Sequence, residues 1–238
     1  MAQPKLSKKE LKEDELLNAF ERIIRHISLH SKPFAFVAVG FVFLIITISA
    51  AYIYFEKYEA KASRALFAAN QVYRENLALI SEDSPLERGG IPDFEKPLKL
   101  YQEISTLFPR SESASEALYQ SAQCFYHLAK YDEAISAFQQ YIQRYPRGSF
   151  SLLAGLGLGY CYEQKSEFDK AAAAYSATID KNPRDALIGE VLVSLGRCQE
   201  ATGKPAEAAK TYTQVVERFP NSTWKSYAER KLLYLKSH

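Results

Sequence analysis

The side chains with the most chemical potential in this sequence are three cysteines at a constant spacing. Cys124, Cys161 and Cys198 follow one another at intervals of 37 residues. Thiolates could bind a metal or form disulfides, but an odd number does not make a disulfide framework. If the spacing reflects stacked helices about 10 Å apart, the Cα atoms lie beyond the roughly 7 Å that a disulfide bridges. We therefore expect three small, buried apolar side chains.

Other candidates for chemistry are isolated. The histidines, His26, His30, His127 and His238, are scattered, and no Ser/His/Asp, Cys/His, HExxH or P-loop pattern accompanies them. The GLGLG stretch at 155–159 lies within a helical pattern, whereas a dinucleotide site needs a strand-to-helix turn. The sequence therefore predicts a protein that is not an enzyme, with no metal, no cofactor and no small-molecule substrate.

Residues 33–55 form an apolar run without Asp, Glu, Lys, Arg or His. At about 1.5 Å per residue, a helix of this length crosses a hydrocarbon core of roughly 30 Å. A cleavable signal peptide is one alternative, because Ser49 and Ala51 have the small-residue spacing of a cleavage site. A buried helix of a soluble protein is another. The run continues to Phe55 and is apolar on all sides, which favours a transmembrane helix.

Residues 1–32, before this run, carry an amphipathic helical pattern. The pattern suits a helix lying on lipid headgroups, or a docking helix for a second protein. Lys and Arg near the two ends of the run are tied at three each, but the short N-terminal segment holds seven in all. Because long domains translocate regardless of charge, we expect a cytoplasmic N-terminus and the large domain on the other side.

The part of the chain after the run is long enough for a sizeable core and has no net charge, with 23 basic and 23 acidic residues. A neutral domain without a basic stripe argues against nucleic-acid binding. Its organisation shows in the prolines, since Pro109, Pro146, Pro183 and Pro220 are each 37 residues apart. A fixed period of this size indicates stacked repeats, and each period here contains two helical patterns, the second stopped by the proline.

These repeats resemble the tetratricopeptide repeat family. Its signature has a small residue at position 8, an aromatic residue at 11, Ala at 20, an aromatic residue at 24 and Pro at 32. The first full repeat matches with Ala122, Phe125, Ala134, Phe138 and Pro146. The second matches with Gly159, Tyr162, Ala171, Tyr175 and Pro183. The third matches with Gly196, Ala208, Tyr212 and Pro220, and departs at Gln199.

The apolar run and the resemblance together predict an all-α fold, a single N-terminal transmembrane helix followed by an α-solenoid of antiparallel helix pairs. A partial repeat, in which Pro97 replaces Ala, precedes the full ones, and the family's Trp at position 4 is absent throughout. The expected segments are a cytoplasmic amphipathic segment 1–32, the transmembrane helix 33–55, a connecting helix and loop 56–93, and the solenoid 94–238. Within the solenoid we expect a partial repeat 94–114, repeats 115–151, 152–188 and 189–225, and a capping helix 226–238.

The 37-residue period and the FPRS and FPNS turns resemble the bacterial cell-envelope branch of the family. A single N-terminal anchor before such repeats is also similar to the ancillary subunit of the Sec translocon and to the Tol–Pal-associated cell-division coordinator. These likenesses imply a protein of the bacterial inner membrane, with a periplasmic solenoid that scaffolds translocon or envelope-complex subunits. A chaperone-like Sec-associated factor, a structural spacer and a regulatory module of an enzyme are the alternatives.

In this family the concave face, formed by the first helices of the repeats, binds a peptide or a helix of a partner. Carried over to this sequence, the resemblance assigns nine residues to that groove. They are Tyr119, Gln123, Tyr126, His127, Tyr160, Glu163, Val193, Arg197 and Glu200. Tyr and Arg are frequent anchors of interfaces, so the sequence predicts a protein partner.

Overall fold

The computed structural model describes residues 31–80 and 91–237, and all regular secondary structure within these ranges is helical. The helices are α1 (Ser31–Ile80), α2 (Glu95–Leu107), α3 (Glu112–His127), α4 (Tyr131–Arg144), α5 (Ser151–Gln164), α6 (Phe168–Lys181), α7 (Ile188–Ala201), α8 (Pro205–Arg218) and α9 (Thr223–Ser237). Residues 1–30 of the predicted amphipathic segment lie outside the described residues. His26, His30 and His238 also lie outside them.

The chain divides into two compact units, Met1–Lys57 and Tyr58–His238. In the first unit, α1 exposes its apolar side chains on all sides: Phe36, Phe43 and Tyr52 are 79%, 67% and 70% exposed. Among the described helices, α1 is the one whose length and composition allow it to cross a membrane, and its most apolar stretch contains no buried residue.

The second unit is a row of helices in which each packs on the next, from α2 through α9. Pairs of one first helix and one second helix repeat along the chain: α3 with α4, α5 with α6, and α7 with α8. This arrangement confirms the predicted all-helical repeat solenoid. No pair buries its apolar surface alone, so each stacks on its neighbours.

The second helices carry the large core side chains at one repeating position. Tyr101, Phe138, Tyr175 and Tyr212 have no exposed surface. Small residues on the first helices allow these rings to approach the backbone, because a Cβ atom added to Gly196 would lie 2.6 Å from Cε1 of Tyr212. Close packing of this kind leaves no room for a larger residue.

The GLGLG stretch of α5 is explained by three such close approaches. A Cβ atom would lie 2.2 Å from Oγ1 of Thr178 if added to Gly155, and 2.5 Å from the Phe138 ring if added to Gly157. At Gly159 it would lie 2.1 Å from Cε1 of Tyr175. The first helix of this repeat is thus wedged between the second helices on either side of it. Sequence reasoning found a packing role for Gly159 alone.

Candidate functional site: the first-helix face

The nine predicted groove residues define a surface that we call the first-helix face. They lie on α3, α5 and α7, the first helices of three successive repeats, as their spacing requires. The face therefore spans three repeats, and the second helices lie behind it. The side chains of the nine residues, however, differ widely in exposure.

Two of the nine residues are buried in the core. Tyr119 is 6% exposed and Val193 is 3% exposed. The Tyr119 ring stacks on Phe150 with 4.7 Å between centroids, and its hydroxyl accepts a hydrogen bond of 2.8 Å from Nε2 of Gln123. Burial raises the pKa of Tyr119 to about 12. Tyr119 and Val193 offer little surface to a partner, and Gln123 is partly engaged within its own helix.

Glu163 is the centre of a polar cluster that links two repeats. Its carboxylate accepts a hydrogen bond of 2.5 Å from the hydroxyl of Tyr175, in the second helix of its own repeat. Both of its oxygens also lie 3.1 Å from Nη2 of Arg197, in the next repeat. The buried hydroxyl and the half-buried guanidinium both donate to one carboxylate, so each charged group has a partner.

The same arrangement occurs one repeat later. Glu200 accepts a hydrogen bond of 2.5 Å from the hydroxyl of Tyr212, and Nζ of Lys231 on α9 donates to it over 2.9 Å. A carboxylate thus joins a tyrosine of its own repeat to a cation of the next repeat, twice in succession. Three of the predicted groove residues, Glu163, Arg197 and Glu200, therefore hold the repeats together.

A signal for this cluster is present in the sequence. The first full repeat has Phe138 where the other two have tyrosine, and it has Tyr126 where they have glutamate. Among the three full repeats, a tyrosine hydroxyl in the core and a carboxylate on the first helix therefore occur together or not at all. Because a buried hydroxyl needs an acceptor, this co-occurrence points to a hydrogen bond between the two positions.

His127 joins the first full repeat to α1. Its ring stacks on Phe94 with 4.3 Å between centroids, and its Nε2 lies 3.2 Å from the hydroxyl of Tyr73. A neutral imidazole can share this hydrogen bond as acceptor or as donor, according to its tautomer. Burial lowers the pKa of His127 below its ordinary value. His127 is thus a joint between helices, with part of its ring left for a partner.

Acidification should loosen this joint. In the unfolded chain His127 binds a proton near pH 6.5, whereas in the folded chain it does so only at lower pH. The free energy of unfolding is therefore retained above pH 6.5 and falls as the pH drops below it. We expect the melting temperature of the wild-type protein to fall more between pH 7.5 and pH 5 than that of a His127→Gln variant. Thermal denaturation of both proteins in detergent at the two pH values measures the difference, and equal falls would contradict the assignment.

Tyr126 and Tyr160 are the half-buried tyrosines of the face. The ring of Tyr126 meets those of His127 and Tyr131 edge-on, at centroid distances of 5.9 and 5.8 Å. The hydroxyl of Tyr160 donates to Oε1 of Glu190 over 2.6 Å. Burial raises the pKa of both tyrosines above its ordinary value. Each ring has a fixed orientation and an accessible part.

The cysteines have no reactive character. Cys124, Cys161 and Cys198 are free and fully buried, as the sequence predicted. Burial raises the pKa of each thiol to about 12, which keeps them protonated and poorly nucleophilic. They fill space in the first helices and do not contribute to the first-helix face.

A cleft of about 610 Å³ lies on the opposite side of the repeats, between α2 and α4. Its floor includes Ser121, whereas Leu158 occupies the same repeat position one period later, where the cleft is about 110 Å³. The Ser121 hydroxyl bonds to the carbonyl of Ala117 in its own helix. The cleft is therefore wider where Ser121 stands in place of a leucine, and the hydroxyl on its floor is already satisfied.

Two segments of the chain match family models that describe the tetratricopeptide repeat. The matched residues are 116–147 and 156–223, which cover the helix pairs that build the first-helix face. These helix pairs are similar to tetratricopeptide repeats. Such repeats are in general protein-interaction modules without catalytic residues. No curated protein matches the chain.

Two solved structures are similar to the chain in fold. The nearly identical repeats of a kinesin light chain from Podospora anserina align with a TM-score of 0.57 at 12% identity, covering 74% of this chain and 87% of theirs. MamA, from residue 41 to its end, from Desulfovibrio magneticus RS-1 aligns with a TM-score of 0.51 at 15% identity, covering 71% and 84%. Identities this low demonstrate a shared fold and nothing further.

Proposed function

We propose that this protein is a membrane-anchored interaction scaffold of the bacterial envelope, which binds a peptide or helix of a protein partner on its first-helix face. The anchor is the N-terminal part of α1, in the inner membrane, with the N-terminus in the cytoplasm and the repeats in the periplasm. Its partners are subunits of an envelope complex or of the protein-export machinery.

Support for the anchor comes from the exposed apolar surface of α1. Between Phe36 and Phe55 nearly every large side chain is at least half exposed. Soluble proteins rarely expose an apolar area of this extent to water, and a bilayer would cover it. An anchor also raises the effective concentration of the repeats near other membrane proteins.

The observation that carries the proposal is the pair of oriented tyrosines on the first-helix face. Tyr160 is held by its hydrogen bond to Glu190, and Tyr126 by ring contacts with His127 and Tyr131. A partner that packs on rings already held in place loses little side-chain entropy on binding. Tyrosine is enriched among the residues that dominate binding energy. The buried Tyr119 and Val193 are not part of the proposed contact.

Site-specific photo-crosslinking tests the proposal in intact membranes. A photoreactive phenylalanine replaces Tyr126 in one variant and, as a matched control, Tyr145 in another, since both are half-buried tyrosines of the same repeat. We expect a protein crosslink from position 126 and none from position 145. Mass spectrometry of the product would identify a translocon or envelope subunit. Equal crosslinking from both positions, or none from either, would contradict a partner on this face and favour a structural spacer.

A further inference from the structure

The turns from each second helix to the next first helix lie along one edge of the second unit. The guanidinium of Arg144 donates to the carbonyl of Pro109 over 3.5 Å, and that of Arg218 to the carbonyl of Pro183 over 2.7 Å. The second and third turns are also adjacent, since Pro146 and Lys181 line one cleft. We call this contiguous surface, residues 108–112, 144–151, 180–187 and 217–224, the basic edge.

Basic residues recur on this edge with the period of the fold. An exposed arginine follows the proline of three successive turns, as Arg110, Arg147 and Arg184, and Asn221 takes the place in the fourth. Exposed cations also end the second helices. They are Arg144, Lys181 and Arg218. The edge thus carries six cations against four acidic residues, Glu112, Asp180, Asp185 and Glu217.

None of these six cations forms an ion pair within the described residues. The lysines in the turns at the opposite edge do: Lys130 lies 2.5 Å from Glu95, Lys204 lies 3.0 Å from Asp169, and Lys165 pairs with Asp132. On the basic edge, Asp185 instead accepts from the backbone N–H of Leu187. The two edges therefore differ in what their charges do. The opposite edge pairs its turn lysines with carboxylates. On the basic edge Arg144 and Arg218 donate to backbone carbonyls, and none of the six cations has a carboxylate partner among the described residues.

The basic edge begins where the chain enters the second unit. The backbone N–H of Arg110 donates to the hydroxyl of Tyr58 over 3.4 Å, and the Tyr58 and Phe108 rings meet at 5.3 Å. Glu59 accepts hydrogen bonds from the backbone N–H groups of Glu112 and Ser113, which fixes the start of α3 beside it. Tyr58 is three residues after the last apolar residue of the proposed anchor, and three residues span at most about 10 Å in any conformation.

We propose that the basic edge is a membrane-binding surface, on which Arg110, Arg147 and Arg184 contact the phosphate groups of anionic phospholipids. The inference rests on the proposed anchor, which places Tyr58 close to the headgroups. Guanidinium groups donate to phosphate oxygens in a bidentate geometry. Clusters of cations next to a membrane helix are attracted to anionic lipid within about one Debye length, near 8–10 Å. The first-helix face, formed by the sides of the helices, stays free for a protein partner.

The single tryptophan of the chain allows a direct test, because Trp224 lies on the basic edge beside Phe219 and Leu187. The full-length protein is reconstituted into vesicles that contain a lipid with a spin label on its headgroup, which quenches nearby tryptophan. We expect at least twofold stronger quenching of Trp224 in vesicles with about a third phosphatidylglycerol than in pure phosphatidylcholine. The difference should shrink at high salt, because the contact is electrostatic.

The matched variants each remove three positive charges, one variant from the basic edge and the other from the opposite edge. Replacing Arg110, Arg147 and Arg184 by Asn, the residue of the fourth turn, should abolish the dependence on anionic lipid. Replacing Lys130, Lys165 and Lys204 by Gln on the opposite edge should leave it intact. Quenching that is absent, or equal in both lipids, would overturn the proposal.

Two further measurements keep the interpretation specific. Flotation of the vesicles after alkaline extraction reports membrane insertion separately from lipid contact. A protein that alkali removes from the vesicles would disprove the anchor, but it would not by that result disprove the lipid contact. In detergent, the wild type is also titrated with polyuridylic acid. Tight binding that the three Asn substitutions remove would assign the edge to nucleic acid and overturn the lipid proposal.

Discussion

Replacing Gly159 by Val should destabilise the repeat unit by about 3 kcal/mol. Even the Cβ atom would lie 2.1 Å from Cε1 and 2.4 Å from Cζ of Tyr175. That ring cannot swing away, because it is fully buried and its hydroxyl is bonded to Glu163. The backbone of α5 must shift instead, and α5 contacts both α4 and α6. For a unit of this size, the melting temperature should fall by about 6–12 °C.

The control for this prediction is Ala173→Val, at an exposed position of α6. It introduces the same β-branched side chain into a helix and should cost only about 0.5 kcal/mol. Urea denaturation of the full-length proteins in detergent, followed by circular dichroism, compares the two. Similar midpoints for Gly159→Val and Ala173→Val would show that the contact between α5 and α6 can relax, contrary to the packing described.

Replacing Arg197 by Met should destabilise the unit by about 2 kcal/mol. Removing one partner of a buried ion pair costs about 3–5 kcal/mol, and the smaller figure reflects solvent at the 39% exposed Arg197 and 18% exposed Glu163 side chains. A second change, Glu163→Gln, removes the uncompensated charge. The double variant should therefore lose less than the sum of the two single losses, by about 1 kcal/mol.

Lys204→Met provides the matched control, because Lys204 also links two repeats but pairs with Asp169, which is 77% exposed. The free energy of unfolding should fall by less than about 0.5 kcal/mol in Lys204→Met, since water solvates both charges once they separate. The same denaturation experiment compares the wild type with all four variants, namely Arg197→Met, Glu163→Gln, the double variant and Lys204→Met. Equal losses for Arg197→Met and Lys204→Met would mean that the Glu163 cluster is no stronger than an exposed pair.

The fold was predictable because its signals are local and periodic. Recurring prolines, small residues and aromatic residues predicted the helix pairs, and the structure confirms them. The packing roles of the glycines were harder to predict from the sequence. The sequence explains Gly159 by its repeat position, but Gly155 and Gly157 face Thr178 and Phe138, and neither contact follows from the repeat signature. Such contacts depend on how far one helix pair is rotated against the next.

The candidate site was predictable in position and less so in character. Assigning residues by repeat position placed the nine residues on the first helices, but it also counted the buried Tyr119 and Val193 among those available to a partner. Exposure depends on parts of the chain outside the helix itself, and Tyr119 lies under Phe150, in the turn that leads to the next repeat. His127 likewise contacts Tyr73, more than fifty residues before it in the chain.

The sequence by itself therefore determined the helical repeat, its period, the buried cysteines and the apolar run before it, because each depends on residue type and spacing along one segment. Only the tertiary structure decided that Glu163 and Glu200 bind tyrosines of their own repeats and cations of the next, and that the arginines after the prolines line one edge beside Tyr58. These relations join residues whose distance is determined by the stacking of helices. Stacking is a sum of many weak contacts between segments, and no single segment encodes it.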